Sequence, residues 1–258
     1  MMGGHHAISG TAAWMALAGS APVLDHVVGL DLWSLDPAQV LAGAVVATGA
    51  ALLPDIDHPS ATISRSGGGL TKALTRAVST VAGHRGATHT ILAAALFTAL
   101  AVVVNRLDWQ VVVPGVGEVQ AGAALLVAAM CAVGTRALKM VEGRLLPWLV
   151  GIASGLLVAV VAPDTSIWLP AAVAVGVLVH LVGDLLTTDG IPFPTWPLVI
   201  RPPKRLASGI WQRSGDIAVP LLGDAGSARE WLLCTVVTGY AATALVTTLA
   251  QAPGTLAL

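Results

Sequence analysis

Seven runs of sixteen to twenty-one residues pass with almost no charge: 7–24, 38–53, 88–105, 119–134, 146–162, 168–186 and 230–250. Only Asp184 and Glu230 interrupt them with a carboxylate. A bilayer core of roughly 30 Å needs about 20 apolar residues as a helix, so each run predicts a membrane span. The second and fourth are short, which tilt or local thinning would accommodate. Composition agrees: 10% of the residues are charged and 55% hydrophobic, against about 25% charged in soluble domains. Glycine and alanine fill the runs, as suits helices that must pack closely where water supplies no driving force. The expected fold is all-α: a polytopic helical bundle forming one integral-membrane domain over residues 1–258.

Charge sets the expected orientation. Twelve of the thirteen Lys and Arg residues lie in the segments 54–87, 135–145 and 187–229, all on one side of a seven-span zigzag. Only Arg106 falls on the other side, with the acidic Asp25, Asp31 and Asp36. The positive-inside rule therefore predicts that the N-terminus and those three segments are cytoplasmic and the C-terminus is outside. The leading "MMGGHHAISG" lacks the basic n-region of a signal peptide, so 7–24 is read as a span. Cys131 and Cys234 both sit in apolar runs and are expected to pack as small hydrophobes. Nothing in the charge pattern points to a nucleic-acid partner.

Two segments between spans carry their own patterns. In "GGGLTKALTRAVSTVAG", Leu70, Leu74, Ala77, Val78 and Val81 fall at helical spacing with Lys72, Arg76 and Ser79 off that face. This predicts a short helix on the cytoplasmic side, lying on an anionic leaflet or packed on the spans. Residues 190–229 are too rich in proline for one helix and read as an interfacial flap with Trp196 and Trp211. Ser227 and Glu230 have the S-x-x-E spacing of a capping box, which gives Glu230 a structural role first.

Chemistry concentrates at the expected cytoplasmic ends. His6 precedes the first span; Asp55, Asp57 and His58 follow the second; His84 and His89 enter the third; His180 and Asp184 lie near the inner end of the sixth. His180 and Asp184 are four apart, so both project from one helix face and suit one ion. Ionisable groups inside a span are costly unless paired or metal-bound. Prolines on both sides of "DIDH" stiffen the donors' backbone. Thr88 is expected to cap the third helix, and Arg85 would hold an anionic oxygen bidentately. His5 is read as a bystander beside His6, and His26 as a solvated loop residue. Any one of these motifs alone is as well explained by polar packing. Their convergence on one membrane side points to a shared metal site, and imidazole with carboxylate favours zinc, with manganese or iron also accommodated, as one or two ions.

Together "GHHAISG", "LLPDIDHP", "GHRGATHT" and "HLVGDLLTTDGIPFPTWPL" resemble, in order and over nearly the whole chain, the YdjM-type (LexA-regulated) inner-membrane family of metal-dependent hydrolases. The resemblance implies that His6, Asp55, Asp57, His58, His84, His89, His180 and Asp184 form the metal site. The threonine, glycine and Trp-Pro that follow the family's HxxxD correspond here to Thr187 or Thr188, Gly190, and Trp196–Pro197. The family's distant similarity to zinc-dependent phospholipases C implies phosphoester chemistry on a small-molecule or lipid substrate. In that reading Asp57 or Asp184 orients the nucleophile and Arg85 stabilises developing charge. Against the shortest members, this chain has extra apolar runs over 119–162. The alternative is a metal-ion transporter, or a metal-binding membrane stress-response protein, using the same ligands without hydrolysis.

Overall fold

Each of the seven apolar runs folds as a helix in the structure, a computed structural model that describes residues 1–28, 35–82, 86–107 and 109–252. The helices are α1 (Gly3–Val28), α2 (Pro37–Ala50), α3 (Thr62–Ser66), α4 (Gly68–Ala82), α5 (Ile91–Arg106), α6 (Ala121–Ala137), α7 (Leu146–Val161), α8 (Trp168–Leu185) and α9 (Ala228–Gln251). Three stretches are long and apolar enough to cross a bilayer: Pro37–Asp57, Trp168–Leu185 and Ala228–Gln251. Helices α5, α6 and α7 are apolar but shorter.

Local signals set the helix starts. Asp36 caps α2 by accepting from Gln39 N at 2.9 Å, and the Gln39 side chain returns to Asp36 N at 3.1 Å. Pro37 fills the first helical position, where no N–H is needed. Helix α5 begins later than expected. Residues Ala87–His89 form a 3-10 turn, and Thr90, not Thr88, accepts from Ala93 N at 3.0 Å. The two threonines carry the same capping signal, and only the turn decides between them. At α9, Ser227 accepts from Glu230 N at 3.2 Å as expected. The other half of the box is absent, because the Glu230 carboxylate is engaged with α1.

Helix α2 is the centre of the bundle, packed against α1, α6 and α8. Trp14, Val46, Ala47, Val127, Leu169, Val173 and Val177 form the heart of the core. Backbones touch where glycine allows. A Cβ on Gly49 would lie 2.2 Å from the Met130 carbonyl oxygen of α6. A Cβ on Gly176 of α8 would lie 2.6 Å from the Ala47 carbonyl oxygen of α2. In a bilayer such close approach supplies the packing attraction that side-chain burial supplies in water.

The connections add structure that the all-α expectation lacked. Between α5 and α6, β1 (Gln110–Val113) pairs antiparallel with β2 (Gly117–Gln120). The β-branched "VVV" and the turn glycine Gly115, at φ +79°, favour this hairpin. Val119 and Gln120, read as the start of a span, belong to β2. The proline-rich segment holds only β3 (Ile191–Pro192) paired with β4 (Asp216–Ile217). It is tied to the end of α8 by Val219 N to Leu185 O at 2.7 Å and Leu222 N to Leu186 O at 3.0 Å. The expected short helix is α4, with Thr75 buried and Lys72 and Arg76 exposed. The side chains of Leu70, Leu74 and Val81, like those of Asp25 and His26, lie outside the described residues, as does Asp31 altogether.

Candidate metal centre

Four elements end at one place: the first turn of α1, the segment after α2, the 3-10 turn before α5, and the last turn of α8. They bring His6, Asp55, His89, His180 and Asp184 together as two groups of donor atoms, each within 4.8 Å of one another. One group is His6, His180 and Asp184; the other is Asp55, His89 and His180.

His180 Nδ1 lies 2.7 Å from the Ala51 carbonyl oxygen. A carbonyl only accepts, so Nδ1 carries the hydrogen and the lone pair of neutral His180 is on Nε2. His89 is fixed the same way from another side. Thr88 Oγ1 donates to Asp57 Oδ2 at 2.8 Å and lies 3.1 Å from His89 Nδ1. With its proton committed to Asp57, the hydroxyl accepts from Nδ1–H and leaves the His89 lone pair on Nε2. The two Nε2 atoms then face each other at 3.3 Å.

The surrounding oxygens complete the set. Asp184 Oδ2 is 3.5 Å from each Nε2 atom. Asp55 Oδ1 is 3.8 Å from His89 Nε2 and 3.9 Å from His180 Nε2. A tetrahedral ion with bonds of about 2.0–2.2 Å holds its ligands about 3.3–3.6 Å apart. The histidines and Asp184 meet that spacing, and Asp55 stands slightly outside it. Two facing lone pairs and two carboxylates in a buried site repel unless positive charge sits between them. The donor set therefore fits a divalent cation.

Asp184 faces both groups. Its Oδ1 is 3.2 Å from His6 Nε2, on the side away from His89, and accepts from the Met1 amino group at 2.6 Å. The His6 ring stacks on His180 with centroids 3.7 Å apart. His6 Nδ1 is buried with no hydrogen-bond partner among the described residues. The site opens at one ligand: the Asp55 side chain is 27% exposed, while those of His6, His89, His180 and Asp184 are at most 2% exposed.

The remaining sequence candidates divide. Asp57 is wholly buried behind His89, with Oδ2 3.6 Å from His89 Nδ1. It holds a ligand and lies outside both donor groups. His58 turns toward the loop, where its Nδ1 accepts from Ser60 Oγ at 2.7 Å and Ser60 N at 3.2 Å, and it joins neither group. His84 and Arg85 lie outside the described residues. His5 is not a bystander: it pairs with the buried Glu230, which also accepts from Met2 N at 2.8 Å and Gly226 N at 2.9 Å. This pair fastens α9 to the turn that presents His6. Ala51 and Thr88, which orient the two ligand histidines, carry no sequence signal of that role. A backbone carbonyl is anonymous, and Thr88 reads as a helix cap.

A helical membrane protein with a buried histidine–aspartate centre at one end of its bundle is thus defined by fold and site. The family model described as YdjM inner membrane protein matches residues 1–252, and the chain belongs to that family. No curated protein and no solved structure matches it.

Proposed function

We propose that this protein is a membrane-embedded, metal-dependent hydrolase of phosphoesters, including lipid-type ones, with its centre facing the cytoplasm and all seven apolar helices spanning the inner membrane. The observation that carries the reading is the meeting of His89 and His180 Nε2 at 3.3 Å with Asp184 and Asp55 oxygens around them. Imidazole and carboxylate donors at this spacing suit zinc first, with manganese and iron also accommodated. His89, His180, Asp184 and Asp55 would hold one ion. A second ion at His6 and the far oxygen of Asp184 would have to displace the Met1 amino group, which lies 2.6 Å from that oxygen.

A divalent cation bound there supplies Lewis acidity, which activates water near neutral pH and draws charge from a phosphoryl oxygen. The chain does the rest. Asp57 and Thr88 fix the His89 tautomer, and Ala51 fixes that of His180. Asp55, the exposed ligand, lies where substrate and water enter. Arg85, four residues before His89 in sequence, supplies a cation for the developing negative charge. The basic residues of 54–87, 135–145 and 187–229 favour the cytoplasmic orientation by the positive-inside rule, and put α4 and the proline-rich segment at headgroup depth.

Elemental analysis of purified protein, paired with turnover of bis(p-nitrophenyl) phosphate, tests this. Wild type is expected to carry about one or two transition-metal ions per chain and to hydrolyse the diester. His180→Ala should lose both. Metal-replete protein that hydrolyses no phosphoester, but carries zinc across liposome membranes, would replace the hydrolase reading with transport.

A further inference from the structure

Glu230 does something that capping α9 does not require. A capping-box glutamate returns to the N–H of its own N-cap; Glu230 instead turns to α1 and is wholly buried. One of its oxygens accepts from Met2 N at 2.8 Å and pairs with His5 Nδ1. The other accepts from Gly226 N at 2.9 Å. The His5 ring is also held from the side, edge-on to Trp231 of α9 with centroids 4.6 Å apart. A carboxylate taken out of water needs such partners, and two of the three come from the first turn of α1.

The residues it holds are next to residues that face the metal centre. Met2 and His5 meet Glu230, while their neighbours Met1 and His6 meet Asp184. The Met1 amino group lies 2.6 Å from Asp184 Oδ1, and His6 Nε2 lies 3.2 Å from the same oxygen. The His6 ring lies flat on that of His180, with centroids 3.7 Å apart and planes 16° from parallel. Met2 O closes the turn, accepting from His5 N at 2.9 Å and His6 N at 3.1 Å. One short turn is thus gripped from two sides by two carboxylates, Asp184 on α8 and Glu230 on α9. Displacing it on the Glu230 side moves the ring that backs His180 and the groups that hold the far oxygen of Asp184.

We propose that Glu230 is a positioning residue for the metal centre, acting through His5 and the first turn of α1 on His6, Asp184 and His180. This rests on the metal-binding part of the proposed function and not on hydrolysis. Partners that orient metal ligands are worth about 10–100-fold in affinity. Glu230 stands one residue further out, so breaking its hold costs about tenfold, the lower end of that range. The rest of α9 has no comparable grip, since besides Glu230 only Cys234 and Ala241 among its described residues are buried. The docking of α9 therefore reaches the centre at one point.

Chelator competition for zinc on the full chain in detergent tests this, with the visible spectrum of cobalt-loaded protein as a second readout of ligand geometry. Glu230→Gln should bind zinc about tenfold more weakly and shift the cobalt spectrum, at wild-type stoichiometry. His5→Phe, which keeps a ring against Trp231, should do the same, and it decides the matter should Glu230→Gln not fold. Ala241→Leu is the control. It overpacks α9 about three turns away, roughly 16 Å along the helix, and should lower the thermal midpoint with zinc affinity unchanged. Wild-type zinc affinity and cobalt spectrum in the folded variants would overturn the proposal. So would an equal loss of affinity in Ala241→Leu, the mark of general loosening. Wild type that takes up no zinc would overturn the metal-dependent reading as well, so the first measurement tells the two failures apart.

Discussion

Replacing Gly176 with alanine should weaken metal binding without touching a ligand. Gly176 lies one turn before His180 on α8, against α2. An added Cβ would stand 2.6 Å from Ala47 O, 2.7 Å from Ala50 Cβ and 2.9 Å from Ala51 N. Ordinary contact begins at 3.4 Å, so the two helices must part by about 0.8 Å, since atoms so close repel steeply. The adjacent bond from His180 Nδ1 to Ala51 O is 2.7 Å long. The same displacement stretches it to about 3.5 Å, beyond a useful hydrogen bond. Losing a partner that orients a ligand histidine typically costs 10–100-fold in metal affinity, or about 1.4–2.7 kcal/mol. Overpacking adds about 1–3 kcal/mol of lost stability. The assay is competition for zinc against a chromophoric chelator in detergent, with thermal unfolding of metal-free protein alongside. Gly239→Ala is the control, because a Cβ there meets nothing within 4 Å. Wild-type zinc affinity in Gly176→Ala, with stability lowered, would refute the coupling of helix separation to the centre.

Asp57→Asn should keep the metal stoichiometry at saturating zinc but weaken affinity about 10–100-fold, because an amide is a poorer acceptor for Thr88, whose hydroxyl orients His89; chelator competition reads the difference. Asp55→Ala, by contrast, removes a ligand and should lower the stoichiometry itself after dialysis. Glu230→Ala leaves His5, Met2 N and Gly226 N without their acceptor. Removing one member of a buried pair costs about 3–5 kcal/mol, seen as a lower thermal midpoint. Glu230→Gln, which retains an oxygen, should lose less.

How much was legible depends on whether the information is local. Apolar runs and their breaks are local, so the seven helices and α4 lie where the sequence puts them. The donors His6, Asp55, His89, His180 and Asp184 were also legible, since ionisable groups at the ends of apolar helices need a reason to be there. The hairpin at 110–120 was missed because Val119 and Gln120 at its end merge with the apolar run that follows, leaving the β1 valines as a mere connection between spans. Asp57 and His58 stand beside Asp55 in one short motif, yet a 3-10 turn (Pro54–Asp57) sends the three side chains three ways. Asp55 faces the centre, Asp57 goes behind His89, and His58 turns to Ser60.

By itself the sequence determined a helical membrane protein and the chemical identity of the groups at one end of it. Composition, spacing and charge asymmetry act over one or two turns of chain, and they need no knowledge of neighbours. Only the tertiary structure decided which donors meet and which nitrogen each histidine offers. Those outcomes depend on how closely α2 can approach α6 and α8 at Gly49 and Gly176. They depend equally on a carbonyl, Ala51 O, whose role no residue name carries.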